Sequence, residues 1–503
     1  MKNFCYLAFA CLILMACTPE KPPLSVEELG VSEIHQGFLS KEFTVEELVK
    51  AYISRIEKSD SLINAISIIN PSAIIRARQL DQEFVKTGKL RPLHGIPILV
   101  KDNINTLGLP TTAGALALAD FIPESDAFII QKLEEAGAIV LAKTNMAEWA
   151  FSPMHSESST QGITRNPYNL DHVPAGSSGG TGAGIAANFG TIGLGTDTGN
   201  SIRGPSSHNA LVGFRTTLGL VSREGIVPLY LRNDVVGPMT RTVEDAVRML
   251  DVIAGYDEKD PITKNSNGKI PESYQAFLDK NGLKGARIGV FRTLSENDPN
   301  PEISALFNQA LLDMENLGAV ILDSVNVDNF QELRQNQWCD QFQLDLEDFL
   351  QTYVKRDTMA TLEDVIRVGT SSDFVRARMP SSNEKNETLD ERPCGDAFTD
   401  PRRIAFREAI EKAMDSLNLD ALVYPSWNHP AAQIDRFQEE YRGDNSQIIA
   451  PHTGQPAFTV PMGFVSGNLP AGLQFLGRMF DEGTLIRLTY SYEQGTNHRK
   501  APN

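Results

Sequence analysis

Basic charge is in short supply. Lys and Arg number 46 against 64 Asp and Glu, which leaves a formal net charge of −18 over 503 residues. The electropositive footprint of a nucleic-acid-binding surface is therefore missing, and the acidic excess reads as a solubility device. Cysteine is scarcer, with 5 in the chain, three of them within the first 17 residues. The body keeps Cys339 and Cys394, with no C-x-x-C pair and no histidine at metal spacing, so a zinc site is not expected. A single disulfide and two free thiols both remain open. No G-x-x-x-x-G-K-[ST] occurs, which excludes a phosphate-cradling loop of that type. Apolar runs of the roughly 20 residues needed to span a bilayer are absent too. What remains is ordinary soluble composition, 41% hydrophobic and 22% charged, in a chain long enough to bury a core without staples.

The apolar run that does occur, Phe4 to Ala16 behind Lys2, fits a signal peptide over residues 1–16. It ends Leu14-Met15-Ala16-Cys17, which resembles a bacterial lipobox, with cleavage before Cys17 and lipid on that cysteine. Residues 17–24 then form a polar tether, and residues 25–503 the folded domain. The implied location is outside the cytoplasm, anchored by lipid to the bacterial envelope and facing the periplasm. Thr18, being other than Asp, favours the outer membrane by resemblance to lipoprotein sorting. An ordinary cleaved signal peptide is the alternative.

Ser25 with Glu28, and Thr44 with Glu47, carry the capping-box pattern. After Thr44, Val45, Leu48, Val49, Tyr52, Ile53 and Ile56 fall on one helical face. Strand-like runs at Ile96–Val100, Ile139–Leu141, Ala421–Tyr424, Ala457–Val460 and Leu473–Leu476 alternate with helical patterns such as Asp126–Ala136. That alternation predicts an α/β fold, a large mixed sheet flanked by helices in one domain. Residues 257–285 read as a loop, and 371–403 as a lid or, preferably, a solvated excursion.

The segment Ala175–Pro205 is the most informative. Residues 176–204 hold 10 glycines in 29 positions, against 38 in the whole chain. Glycine permits left-handed backbone and close approach to a ligand. Serines beside such a loop place hydroxyl nucleophiles near bare N–H donors, as an oxyanion requires. Gly182-x-Gly184-x-x-Ala187 fits a loose dinucleotide fingerprint but lacks a preceding strand and a well-spaced acid. Gly176-Ser177-Ser178-Gly179-Gly180 matches G-x-S-x-G, which would make Ser178 the nucleophile of an esterase-like triad, with His452 as a partner.

The same segment, read as GSSGG, GLGTD and GNSIRGP, resembles the amidase signature. Further blocks match that family in order: HGIPILVKDNINTLGLPTTAG (94–114), GFRTTLGLVSREGIVPL (213–229), GPMTRTVEDA (237–246) and GQPAFTVPMGF (454–464). The match covers nearly the whole domain and is thinnest over 257–420, which is expected to shape the acyl pocket. The resemblance implies a hydrolase of linear amide C–N bonds with no cofactor and no metal. It makes Ser201 the nucleophile, Ser177 a bridging serine in a cis peptide and Lys101 the base. It places an oxyanion hole in Thr198, Gly199, Asn200 and Ser201, with Ser178, Asp197 and Arg203 supporting it. For Arg203 a surface ion pair is an equal alternative. His172 and His208 are expected to be structural. Asn200 stands where the family usually has glycine, so a positive φ is expected there, asparagine tolerating that region well.

A serine hydroxyl needs a neighbour to take its proton, and lysine can do so only when neutral, well below its usual pKa of about 10.4. Lys101 follows the apolar run Ile96–Val100, so burial is expected to depress it. The implied partner is a small-molecule or peptide amide; an anchored protein is not expected in the cytoplasmic transamidosome. A non-catalytic, exported solute-binding lipoprotein is the competing class.

Overall fold

A computed structural model describes residues 24–339, 341–384 and 395–502. Cys17, the expected signal peptide and Cys394 lie outside them. One sheet of eleven strands runs through the molecule. In chain order these are β1 (Ile66–Ile69), β2 (Pro97–Lys101), β3 (Ile139–Thr144), β4 (Ile192–Asp197), β5 (Val212–Arg215) and β6 (Val235–Thr240). They continue as β7 (Arg287–Val290), β8 (Val320–Leu322), β9 (Ala421–Pro425), β10 (Ala457–Val465) and β11 (Leu469–Leu476). Their spatial order is β1-β3-β2-β4-β6-β5-β10-β11-β9-β7-β8. Pairs β3–β2, β2–β4, β9–β7 and β7–β8 are parallel, and the middle of the sheet is antiparallel. The mixed α/β architecture predicted from the sequence is the one observed, and every strand-like run lies in this sheet.

The central strands are buried at every position of β2, β3, β4 and β6. Such strands are covered on both faces and need continuous apolar sequence. The helix Val45–Ile63 begins as expected, with Thr44 accepting from Glu47 N and the Glu47 side chain closing the box. The Ser25 expectation fails. Glu28 sits in a turn, its carboxylate bound by Arg499 and Asn188, and the first helix, Val31–Ser40, starts from Gly30. A long-range ion pair thus outcompetes the local cap.

The polar stretch 371–403 is also more than a solvated excursion. The helix Asp373–Glu384 buries Val375 and Met379 in an apolar cluster with Phe342 and Phe349. Cys339 is disulfide-bonded, which decides the thiol question on its side.

The glycines at 176–204 work by closeness rather than handedness, since none has positive φ. A methyl on Gly180 would collide with Asn145 O, and one on Gly176 with His155 O and Ser152 O. Both positions admit no side chain because two backbones meet there.

Candidate active site

Lys101 ends β2 with no exposed surface. Its Nζ donates to Ser177 Oγ at 2.7 Å and to Thr196 Oγ1 at 2.7 Å, with Thr196 O at 3.5 Å. Burial pushes its pKa down to about 7, against the pull of Asp234 and Asp197. In the neutral amine, two N–H groups are taken by Thr196 and the lone pair is left for Ser177. Thr196 is itself held by Asn103 Nδ2 at 3.2 Å.

Ser177 follows the cis peptide Gly176–Ser177 and lies just ahead of the helix Gly179–Ala186. Ser178 points elsewhere. It is fully buried and its hydroxyl donates to Thr196 O at 3.1 Å, with no histidine among its hydrogen-bond partners. The triad built on Ser178 and His452 therefore has no geometry behind it. His452 packs edge-on against Trp338, its ring centroid 4.6 Å away.

Ser201 lies between β4 and the helix Arg203–His208, lining a cavity of about 350 Å³. Thr198, Gly199 and Asn200 line it too, with walls from Phe151, Leu229, Tyr230, Trp338, Arg378 and Gln447. Among the described residues, the N–H groups of Gly199, Asn200 and Ser201 donate to no protein acceptor, and the Ser201 hydroxyl has no partner. A row of free N–H donors beside a free hydroxyl is what a developing oxyanion needs.

The loop is clamped from below. Asp197 pairs with Arg203 Nε at 3.1 Å and Arg215 Nη1 at 2.8 Å, all three side chains buried. It also accepts from Ile202 N at 3.1 Å, and Arg203 Nη2 donates to Gly199 O at 2.6 Å. Burial alone would raise the Asp197 pKa, but the two guanidiniums overcome it and hold it at about 2. Arg203 is thus a buried tie, and the surface-pair alternative falls. Thr198 Oγ1 donates to Asp234, whose other oxygen accepts from Leu229 N and Tyr230 N.

Asn200 departs from expectation. It is not in the positive-φ region. Its amide instead reaches out of the loop and donates to Pro153 O at 3.3 Å. His208 is buried against Trp427 and held down to about 3 by burial, a structural role as expected.

Sequence reasoning missed Thr196, Arg215, Asp234, Trp338, Arg378 and Gln447. Arg215 carried a usable signal, a lone charge ending the apolar strand Val212–Phe214. Trp338, Arg378 and Gln447 come from segments far apart in the chain, and no local pattern marks them.

A buried lysine hydrogen-bonded to a serine, near a clamped loop of free N–H donors, is the geometry of a hydrolase that activates a hydroxyl through an amine. The Amidase family profile matches residues 47–486, and the chain belongs to that family. It is 33% identical to a probable amidase of Arabidopsis thaliana over 95% of this chain and 92% of that one. It is equally 33% identical to a chain of the glutamyl-tRNA(Gln) amidotransferase of Alkaliphilus metalliredigens, over 94% of this chain and 97% of that one. The native peptide amidase structure from Stenotrophomonas maltophilia superposes with a TM-score of 0.84 at 34% identity, covering 95% of this chain and 99% of that one. This is an amidase-family enzyme acting on amide C–N bonds.

Proposed function

We propose that the protein hydrolyses a carboxamide through an acyl-enzyme on Ser201, releasing ammonia or an amine. The observation that carries this reading is the Lys101–Ser177 contact at 2.7 Å, with the lysine held near neutrality by burial. Lys101 takes the Ser177 proton as Ser177 takes that of Ser201, and Ser201 attacks the carbonyl carbon. The carbonyl oxygen becomes an oxyanion facing the N–H groups of residues 199–201. Collapse breaks the C–N bond, with the relay returning a proton to the leaving nitrogen. Water, deprotonated by the same relay, then attacks the ester and frees Ser201 and the acid.

The substrate we propose is a small or peptide-like amide, supported by the likeness to peptide amidase and by a cavity walled with Phe151, Tyr230 and Trp338. We place the enzyme outside the cytoplasm on a lipid at Cys17. The Leu-Met-Ala-Cys junction supports this, as does the disulfide at Cys339, such bonds persisting in oxidising compartments. Among the described residues no helix is long and apolar enough to cross a membrane.

Two measurements test the reading together. Ammonia and amine release over a panel of amides should show turnover, and a fluorophosphonate should label the protein. Ser201→Ala should lose both, while Ser178→Ala should retain substantial activity. A dead Ser178→Ala beside an active Ser201→Ala would transfer the nucleophile to Ser178. A protein that neither turns over nor labels would be the solute-binding alternative.

A further inference from the structure

Gln447 presents an unused acceptor to the cavity that holds Ser201. Its Nε2 donates to Asp444 Oδ2 at 2.9 Å and to the Tyr441 hydroxyl, and that hydroxyl in turn donates to Asp444 Oδ2 at 3.1 Å. Rotating the amide would turn Oε1 onto a carboxylate oxygen, so the network fixes which end faces inward. Oε1 then lies over Gly199, where a methyl group would come within 3.0 Å of it. It accepts from no described residue.

The acceptor is held in register with the nucleophile loop. The single Ser446 hydroxyl proton is shared between Ser426 O at 3.1 Å and Gln474 Oε1 at 3.0 Å. That same Gln474 oxygen accepts from Arg203 Nη1 at 3.2 Å. Asn445 Nδ2 binds Pro425 O at 2.9 Å. One glutamine on β11 therefore joins the Gln447 segment to the Arg203 clamp beneath Ser201. A pre-placed acceptor of this kind costs little ordering on binding.

Topology decides which end of the substrate it meets. Lys101, at the end of β2, and Ser177, hydrogen-bonded to it at 2.7 Å, must serve the leaving nitrogen. Gln447 lies in the connection from β9 to β10, on the other side of the nucleophile loop across β6 and β5. Resting on the proposed amide hydrolysis, we infer that Gln447 Oε1 is a specificity-determining acceptor for an N–H of the acyl portion, selecting N-acylated amino-acid amides whose backbone N–H is free.

The test compares two substrates at pH 8: an N-acetyl amino-acid amide and its analogue methylated on that backbone nitrogen. Wild type should prefer the N–H substrate by about tenfold or more in kcat/KM. Gln447→Met, similar in size but without the carbonyl, should lower kcat/KM for the N–H substrate by about tenfold and leave the methylated one within about twofold. Fluorophosphonate labelling of Ser201 reports that the variant is folded. Preserved discrimination in labelled Gln447→Met, or an equal fall on both substrates, overturns the assignment of Gln447 alone. Absence of wild-type turnover on either substrate together with absence of labelling overturns the hydrolase reading and this inference with it.

Discussion

Lys101 concentrates the chemistry into one titration. Burial lowers its pKa to about 7, so the neutral base accumulates as pH rises through 7. The kcat/KM of the proposed reaction should therefore climb about tenfold per pH unit below 7 and level off above it. Asp444, raised to about 7 by burial, titrates in the same window. Asp444→Asn should keep the limb, whereas Lys101→Arg should be inactive throughout because arginine stays charged. Loss of the limb in Asp444→Asn, or near-normal turnover in Lys101→Arg, removes Lys101 as the base. A second prediction concerns Asn200. With its backbone outside the left-handed region and its amide on Pro153, the N–H proposed to face the oxyanion does not depend on the side chain. Asn200→Gly and Asn200→Ala should both hold kcat within about tenfold of wild type, well short of the ~10²–10³-fold lost with an oxyanion donor. Kinetics on the two purified variants decide this.

At the level of elements, the loop between β4 and the helix Arg203–His208 is rigid because a buried carboxylate is shared by two guanidiniums. Removing Arg203 leaves Asp197 paired with Arg215 but strips buried hydrogen bonds from Asp197 and from Gly199 O, at a cost of roughly 1–3 kcal/mol. Arg203→Met should lower the urea midpoint accordingly and depress kcat more than it raises KM, since the donors of residues 199–201 lose their anchor at Gly199 O. The acid response has a defined sign. Asp197 is held at about 2 in the fold, below the ~3.9 of an unfolded aspartate. Its stabilisation is thus complete above pH ~4 and lost as pH falls towards 2. Urea melts of the wild type and Asp197→Asn across that range should differ in slope. Parallel curves would show that the pair contributes no acid sensitivity.

For the molecule as a whole, the proposed leader and lipid anchor are separable from the catalytic domain in experiment. Cys17→Ser should move the protein out of the membrane fraction on cell fractionation. A chain starting at Ser25 should keep its specific activity, because the relay and the cavity lie between Lys101 and Gln447. Unchanged membrane association of Cys17→Ser would refute the lipid anchor.

The apolar runs already determined which segments become strands and that Lys101 rises from a buried one. These are local properties. A run of Ile, Leu and Val must be covered on both faces. What only the tertiary structure decided involves choices between partners. Glu28 prefers Arg499, 471 residues away, to its own helix start. Arg203 turns inward to share Asp197 with Arg215, and Asn200 reaches Pro153 instead of bending its backbone. Trp338, Arg378 and Gln447, from three separate segments, line one cavity with Ser201. A charged or amide side chain satisfies itself with whatever the fold brings near, so its partner follows from the packing of distant segments rather than from its neighbours in sequence.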